Sequence, residues 1–308
     1  MEQNKERNFV SAVVYCCNDA ATIGSFIENL DRNLFNNFFK YEIVVVNDCS
    51  NDNSAQIVRE YVNNKLGGVI SILNMSHPQG LEASMNAGVD LAIGDFVYEF
   101  DYAHIDFDWS TIMDVYNHSL KGYDIVSAVP KKKTKMTSSL YYSVFNRYAN
   151  LQYNIQSERF RILSRRAINR IHSITQSVPF RKAAYAKCGL AVDFIKYKPT
   201  QVISRKKYFD KWNVRVDSII LFTDVAYRIT MGLAIIMALF TAIFGIYAIV
   251  YKIMREPVEG WTTTILFMAF GFFGLFVIMA MVIKYLQTLV NLTFRKKNYL
   301  FESIEKLQ

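Results

Sequence analysis

The sequence predicts an α/β domain with a mostly parallel β-sheet, followed by two membrane-spanning helices. Apolar runs of strand length alternate with helically spaced apolar residues over the N-terminal third. Two later stretches, 229–251 and 261–283, contain no charged residue. Hydrophobic residues make up 52% of the chain and the mean hydropathy is +0.10. These values exclude a disordered or collagen-like protein.

The predicted elements follow from a change of apolar period along the chain. Continuous apolar runs such as Phe9–Cys17 suit strands that are covered on both faces. The spacing of apolar residues over 21–34 is helical instead. The predicted strands are 9–17, 41–46, 69–73 and 96–100, and the predicted helices are 21–34, 55–63 and 81–92. Ligands of such sheets bind at the carboxyl ends of the strands, so the loops that follow them are the candidate sites.

Each uncharged stretch is long enough to cross a bilayer as a helix, since about 20 apolar residues suffice. Basic residues precede the first stretch and follow the second, whereas the connection 252–260 is balanced in charge. The positive-inside rule therefore predicts a multi-pass protein of the inner (plasma) membrane with both termini in the cytoplasm. The predicted segments are a cytosolic domain at 1–215, a juxtamembrane amphipathic helix at 216–228, a transmembrane hairpin at 229–283 and a cytosolic tail at 284–308.

The net charge of +8 favours partners that carry negative charge, such as an anionic lipid surface or a phosphate-bearing ligand. No nucleic-acid-binding motif accompanies this charge, so no nucleic-acid partner is predicted. Lysines between 131 and 135 precede a stretch at about 138–156 with one apolar, aromatic-rich face. This pattern is typical of an interfacial helix lying in lipid headgroups, and an ordinary core-facing amphipathic helix is the alternative.

Polar side chains follow the second and fourth predicted strands. The loop NDCSNDNS at 47–54 offers Asp48 to a nucleobase, although capping of the next helix explains the same composition. The segment 99–108 contains several carboxylates, among them Asp101 and Asp106. Carboxylates at such an edge are what a site needs to hold Mg²⁺ or Mn²⁺ against a diphosphate, and a solvated turn is the alternative.

Taken in order, these motifs resemble glycosyltransferase family 2. They are Asn18-Asp19, VVVNDCSNDNS at 44–54, GLEASMNAG at 80–88, Gly94-Asp95 and Asp101. The segment FRILSRR at 160–166, Trp261-Thr262 and YLFE at 299–302 resemble the polyprenyl-phosphate glycosyltransferases of that family. The resemblance covers nearly the whole chain and implies an A-type, Rossmann-like glycosyltransferase domain. It also implies inverting, metal-assisted transfer of a sugar from a nucleotide-sugar to an undecaprenyl-type phosphate on the cytoplasmic leaflet.

The resemblance further implies roles for individual residues. A UDP- or GDP-linked sugar would contact Tyr15, Asn18, Asp19, Asp48, Ser50, Gly80 and Asp101. The lipid phosphate would lie near Lys131, Arg147, Arg161, Ser164, Arg165 and Lys207. Asp101 and Asp106 would hold Mg²⁺ or Mn²⁺, and these two residues with Arg161 are the predicted catalytic residues. The same resemblance implies a homo-oligomer, a tetramer.

The chain departs from the family pattern in the acidic segment. Ala103 stands in the position of the second aspartate of the DxD motif, and Ile105 in that of a following glutamine. Either Asp106 or Asp108 substitutes, with the diphosphate supplying most metal contacts, or the chain is a catalytically silent member or scaffold. A transferase with a non-lipid acceptor is a third possibility, and it would need a positioned base to deprotonate a hydroxyl.

Overall fold

The computed structural model describes residues 5–131, 143, 146–147, 153–174, 180–200, 225–254, 260–293 and 299–307. The chain forms two compact units. The first contains the sheet with its helices and comprises residues 1–146, 150–211 and 294–308. The second is helical and comprises 147–149 and 212–293.

Within the described part of the first unit, eight strands form one mixed sheet. They are β1 Glu6–Cys16, β2 Phe38–Asn47, β3 Val69–Met75, β4 Phe96–Phe100, β5 Ile125–Pro130, β6 Phe160–Ser164, β7 Val192–Tyr197 and β8 Phe301–Leu307. Their order across the sheet is β7-β5-β6-β4-β1-β2-β3-β8. The mostly parallel sheet predicted from the sequence is confirmed.

Strand directions place the functional loops on one side of the sheet. β4, β1, β2 and β3 are parallel neighbours, while β6 and β8 run antiparallel to them. β5 and β7 are parallel to each other and antiparallel to β6, so they run in the direction of β4. We call the side where β1 to β5 end, and where β6 and β8 begin, the carboxyl edge.

Helices cover both faces of this sheet. They are α1 Ile23–Asn37, α2 Ser54–Tyr61, α3 Gly80–Leu91, α4 Ser110–Ser119, α5 Arg165–Ile174 and α6 Arg181–Lys187. Successive strand residues face opposite layers: Val14 packs in one core cluster with Phe26 of α1, and Val13 packs in the other with Met85 of α3. This burial on both faces explains why the strands read as continuous apolar runs rather than as alternating ones.

All seven elements predicted over the first hundred residues form, with ends shifted by a few positions. β8 was not predicted, because its residues are largely polar and form no continuous apolar run. β8 pairs antiparallel with β3. Arg59 on α2 donates from Nε and Nη2 to Glu305 of β8, at 2.8 and 2.9 Å. The segment predicted as a cytosolic tail therefore adds a strand to the sheet.

The second unit contains two long apolar helices, α7 Val225–Met254 and α8 Trp261–Thr293, which pack against each other. Within the described residues, Met231–Met254 and Trp261–Leu286 are long and apolar enough to cross a membrane, judged by length and composition. These segments overlap the two predicted spans. Most of the predicted interfacial helix (138–156) and of the juxtamembrane helix (216–228) lies outside the described residues.

Gly88 marks the closest approach of α3 to the sheet, since an added Cβ would lie 2.5 Å from both Val13 Cγ1 and Val46 Cγ2. We expect Gly88→Ala to lower the free energy of unfolding by about 1–3 kcal/mol through overpacking, although alanine normally stabilises a helix relative to glycine. Urea denaturation of the detergent-solubilised protein measures this change. Gly24→Ala is the control, because its Cβ would meet only the Cγ2 methyl of Ile57, at 3.0 Å. A Gly88→Ala protein as stable as the wild type would contradict this packing.

Candidate active site

The carboxyl edge carries most of the residues that the sequence assigned to a site. Those in the loops after β1 to β4, or at the start of the following helix, are Asn18, Asp19, Asp48, Ser50, Gly80, Asp101 and Asp106. Tyr15 is the second-last residue of β1. Lys131 directly follows β5 and is exposed. Arg161 lies in β6 opposite Glu99 of β4. Strand direction alone thus brings these residues to one side of the sheet.

The loops after β1 and β2 are joined by reciprocal hydrogen bonds. The backbone N–H of Asn18 donates to Ser50 Oγ at 3.1 Å, and the N–H of Asn51 donates to Asn18 Oδ1 at 2.7 Å. Asn18 and Cys49 adopt the left-handed conformation, with φ of 54° and 51°. Asparagine tolerates this conformation better than most residues. Such strain persists where surrounding contacts hold it and is common at binding sites.

Asp48 is the centre of the first half of the edge. The hydroxyl of Tyr15 donates to its Oδ2 at 2.8 Å, and the backbone N–H groups of Gln79 and Gly80 donate to Oδ1 and Oδ2 at 2.8 and 2.9 Å. Burial, followed by the negative charge of Asp48, raises the pKa of Tyr15 far above its usual range. The Tyr15 hydroxyl therefore stays protonated and donates. Asp48 in this way fixes the start of α3 against the end of β1.

The segment before β8 reaches the same loop, a contact that was not predicted from the sequence. The backbone N–H of Leu300 donates to Gln79 Oε1 at 2.9 Å, and the N–H of Ser76 donates to the Leu300 carbonyl at 3.2 Å. Gln79 thus contacts both Asp48 and the C-terminal segment.

Asp101 is the centre of the second half, and two arginines hold it. Arg181 Nη2 donates to Asp101 Oδ1 at 2.7 Å, and Arg161 Nη2 donates to Oδ2 at 3.1 Å. Both arginines are 1% exposed. They also share Glu99, whose Oε2 lies 2.8 Å from Arg161 Nη1 and 3.1 Å from Arg181 Nη1. Tyr185 closes the group by donating to Glu99 Oε1 at 2.6 Å.

These ion pairs decide the charge of Asp101. Burial by itself would raise the pKa of this carboxyl, but the guanidinium groups of Arg181 and Arg161 lower it, and the net pKa lies well below its usual range. Asp101 is therefore ionised at neutral pH. We call Glu99, Asp101, Arg161 and Arg181 the arginine cluster.

Two further positions of the acidic segment, 103 and 106, make structural contacts. Asp106 is buried and accepts both Nε and Nη2 of Arg159, and the Tyr197 hydroxyl donates to its Oδ1 at 2.9 Å. Ala103 is 1% exposed and belongs to a core cluster that includes Phe107. Asp106 thus connects its loop to Arg159, just before β6, and to Tyr197 of β7. Ala103 is packed among apolar side chains.

The side-chain oxygens available at Asp101 and Asp106 do not suit the divalent cation that was predicted there. Both oxygens of each carboxylate are engaged by arginine, and Ala103 carries no ligand atom. Mg²⁺ and Mn²⁺ require several available oxygen ligands. Among the residues that the structure describes, no group of three or more His, Cys, Asp or Glu is arranged to hold a metal. No chemical step is therefore assigned to a metal here.

The predicted lipid-phosphate residues do not all converge. Ser164 pairs with Phe96 at the start of β4, on the side of the sheet opposite the carboxyl edge. Its hydroxyl donates to Asp124 Oδ1 at 2.8 Å, and the neighbouring Arg165 donates to the Gly94 carbonyl at 3.0 Å. Arg147 belongs to the second unit, and Lys207 lies outside the described residues. Of the members of this set that the structure describes in the first unit, Lys131 and Arg161 lie at or next to the carboxyl edge.

The role of Arg181 was not predicted from the sequence, and Glu99 was not among the predicted site residues. Glu99 carries a signal, because a carboxylate inside the apolar strand FVYEF must find a positive partner if it is buried. Arg181 carries none, since its contacts with Glu99 and Asp101 join distant parts of the chain.

A mostly parallel α/β sheet with polar loops at its carboxyl edge defines a protein that binds its ligand at the strand ends. Residues 11–187 match the family described as Glycosyl transferase family 2. This match covers more than half of the chain, which therefore belongs to that family and is a glycosyltransferase.

Two relatives share about a quarter of the aligned residues with this chain. An uncharacterized glycosyltransferase of Synechocystis is 26% identical over 223 residues, which cover 69% of each chain. A prophage bactoprenol glucosyl transferase homolog of Escherichia coli is 24% identical over 259 residues, 80% of this chain and 82% of that one. Among solved structures, the mannosyltransferase PcManGT of Pyrobaculum calidifontis, in complex with GDP-Man and Mn²⁺, superposes with a TM-score of 0.50 at 14% identity. That superposition covers 94% of this chain and 76% of the other, and it confirms the fold.

We expect Arg161→Gln to lower the free energy of unfolding by about 3–5 kcal/mol, because it removes a buried charge that contacts three carboxylates. Urea denaturation in detergent measures the loss. Arg32→Gln is the matched control, since Arg32 pairs with Glu28 on the exposed surface of α1 and such pairs contribute about 0.3–0.5 kcal/mol. Equal losses in the two variants would contradict a stabilising role for the arginine cluster.

Proposed function

We propose that this glycosyltransferase moves a sugar from a nucleotide-sugar to the phosphate of a polyprenyl lipid, on the cytoplasmic face of the plasma membrane. The observation that carries the proposal is the presence, in one chain, of a family 2 domain and of two helices apolar enough to span a membrane. Relatives named bactoprenol glucosyl transferases support the choice of acceptor. Orientation in the membrane and a homo-oligomeric state stay predictions.

The chemistry of such an acceptor suits the described edge. A phosphate monoester is already anionic at neutral pH, so it attacks the anomeric carbon without a strong general base. Rate enhancement then comes from alignment and from stabilisation of the leaving diphosphate. Direct in-line displacement inverts the anomeric configuration: the bond from the anomeric carbon to the acceptor oxygen forms as the bond to the diphosphate breaks.

In this proposal, the two halves of the carboxyl edge bind different parts of the nucleotide-sugar donor. Asp48 with Tyr15 and the strained loops at Asn18 and Ser50 would hold the nucleoside, because their polar groups cluster after β1 and β2. Asp101 would lie at the diphosphate end, after β4. Arg161 is buried beneath Asp101, so we assign it to holding that carboxylate in place rather than to contact with the lipid phosphate.

A transfer assay tests the proposal. Detergent-purified protein is incubated with undecaprenyl phosphate and labelled UDP-glucose, UDP-N-acetylglucosamine or GDP-mannose, and label in the organic phase is counted. We expect at least one donor to label the lipid. Asp101→Asn should reduce the rate by about 10²-fold, because it weakens the ion pairs with Arg161 and Arg181 that hold the loop after β4 in position. The control is Asp108→Asn in the same loop, where the exposed carboxylate makes local hydrogen bonds with Ser110, including one from the Ser110 N–H at 2.8 Å.

The acceptor arms of this assay separate the alternatives. Undecaprenol, which lacks the phosphate, should take no sugar, since its hydroxyl needs a base that the proposal does not provide. Transfer to undecaprenol, or to glycan or protein but not to undecaprenyl phosphate, would overturn the proposed acceptor. Nucleotide binding without transfer from any donor would identify a catalytically silent member of the family.

Lys131 is the exposed cation at the carboxyl edge that the sequence assigned to the acceptor. We expect Lys131→Glu to raise the KM for undecaprenyl phosphate by about fivefold or more, since one basic residue near an anionic surface contributes about 1 kcal/mol. Lys121→Glu is the matched control: Lys121 is also exposed but follows α4, at the opposite side of the sheet. Equal KM values for the two variants would remove Lys131 from the acceptor site.

A further inference from the structure

The guanidinium group of Arg181 lies at the convergence of three carboxylates. Its Nε is 3.0 Å from Glu82 Oε2, its Nη1 is 3.1 Å from Glu99 Oε2, and its Nη2 is 2.7 Å from Asp101 Oδ1. Each nitrogen thus meets a different acidic residue. The three acids come from the first turn of α3, from the interior of β4 and from the loop after β4.

Several carboxylate oxygens that surround one point are the usual ligands of a hard divalent cation. Here that point is filled by a group that is always charged and cannot be deprotonated in a protein. The backbone N–H of Arg181 also donates to Glu82 Oε2, at 2.9 Å. The backbone and the guanidinium group of Arg181 therefore contact the same acidic residue, so both ends of this side chain are held in place.

We propose that Arg181 occupies the cation position of the active site, and that the chain binds its nucleotide-sugar without a divalent metal. This inference rests on the proposed function for the identity of the ligand. Its basis is the convergence of Glu82, Glu99 and Asp101 on one guanidinium.

Two independent features support the exchange of metal for arginine. Position 103, where a second aspartate would supply a ligand, is alanine and is packed in the apolar core. The other candidate ligand, Asp106, is held by both Nε and Nη2 of Arg159. The residues that would bind metal are thus replaced or engaged, while an internal cation is in contact with the one that is kept, Asp101.

Arg181 also connects the two halves of the carboxyl edge. Glu82 lies two residues after Gly80, whose N–H donates to Asp48, while Asp101 belongs to the arginine cluster. A cation at this point therefore holds the start of α3 against the end of β4. In this account Arg181 supplies both the charge and the bridging contacts that a metal would supply.

The first test measures Mn²⁺ binding directly on the full-length protein in detergent. The electron paramagnetic resonance signal of free Mn²⁺ is titrated with protein, alone and with saturating UDP or GDP. We expect no binding tighter than millimolar under any of these conditions. A site with a dissociation constant below about 100 µM, with or without nucleotide, would overturn the proposal.

The second test removes the internal cation. Arg181→Ser leaves Glu82, Glu99 and Asp101 without their shared cation. We expect these carboxylates to rearrange around Mn²⁺, so the variant should bind Mn²⁺ at least about tenfold more tightly than the wild type. Arg32→Ser, at the exposed ion pair with Glu28, is the control and should bind no Mn²⁺. If Arg181→Ser does not fold, Arg181→Lys keeps the charge and should bind Mn²⁺ no more tightly than the wild type. Strong Mn²⁺ binding by Arg181→Lys, or none by folded Arg181→Ser, would contradict the proposal.

Calorimetry of nucleotide binding separates this inference from the proposed function. We expect the affinity for the preferred nucleotide diphosphate to change less than about threefold between EDTA and Mn²⁺. Affinity that rises about tenfold or more with Mn²⁺ would overturn the inference and leave the proposed transfer intact. If neither UDP nor GDP binds in either buffer, the proposed donor is wrong, and the Mn²⁺ titrations still decide whether Arg181 fills a cation site.

Discussion

Neutralising Glu99 of β4 and Asp101 in the loop after it is the constraint on which the rest of the site depends. β4 lies in the interior of the sheet, between β1 and β6, and Glu99 is fully buried there. A buried carboxylate without a partner is strongly destabilising, so a positive group must reach it. Arg161 does so because β6 pairs antiparallel with β4 in the register that places it opposite Glu99. Arg181 completes the arrangement from α6.

The same contacts relate the sheet to the proposed chemistry. Asp48 fixes the loop that starts α3, and Arg181 ties that helix, through Glu82, to Asp101. The nucleoside and diphosphate ends of the proposed donor site are therefore held by one connected set of polar groups. The segment before β8 reaches this set through Gln79. The residues that follow the second apolar helix thus contribute to the proposed donor site.

Local patterns were enough to predict the first half of the sheet, because largely apolar runs such as 9–17 and 41–46 are typical of strands buried on both faces. β8 escaped prediction, since an edge strand with polar residues has no such run. At the site, Asp48 and Asp101 could be placed at strand ends from sequence. The arginine cluster could not be, because the approach of Arg181 to Glu99 depends on how distant elements pack. Ser164 and Arg165 fall on the opposite side because β6 is antiparallel to β4.

If Arg181, rather than a divalent metal, balances the acidic residues of this glycosyltransferase, a crystal soaked with Mn²⁺ and a nucleotide diphosphate should show no metal beside them. In data measured at the manganese absorption edge, we expect Arg181 between Glu82, Glu99 and Asp101, with no anomalous peak next to these residues. An anomalous peak about 2.1 Å from the Asp101 carboxylate, with Arg181 displaced, would contradict this expectation.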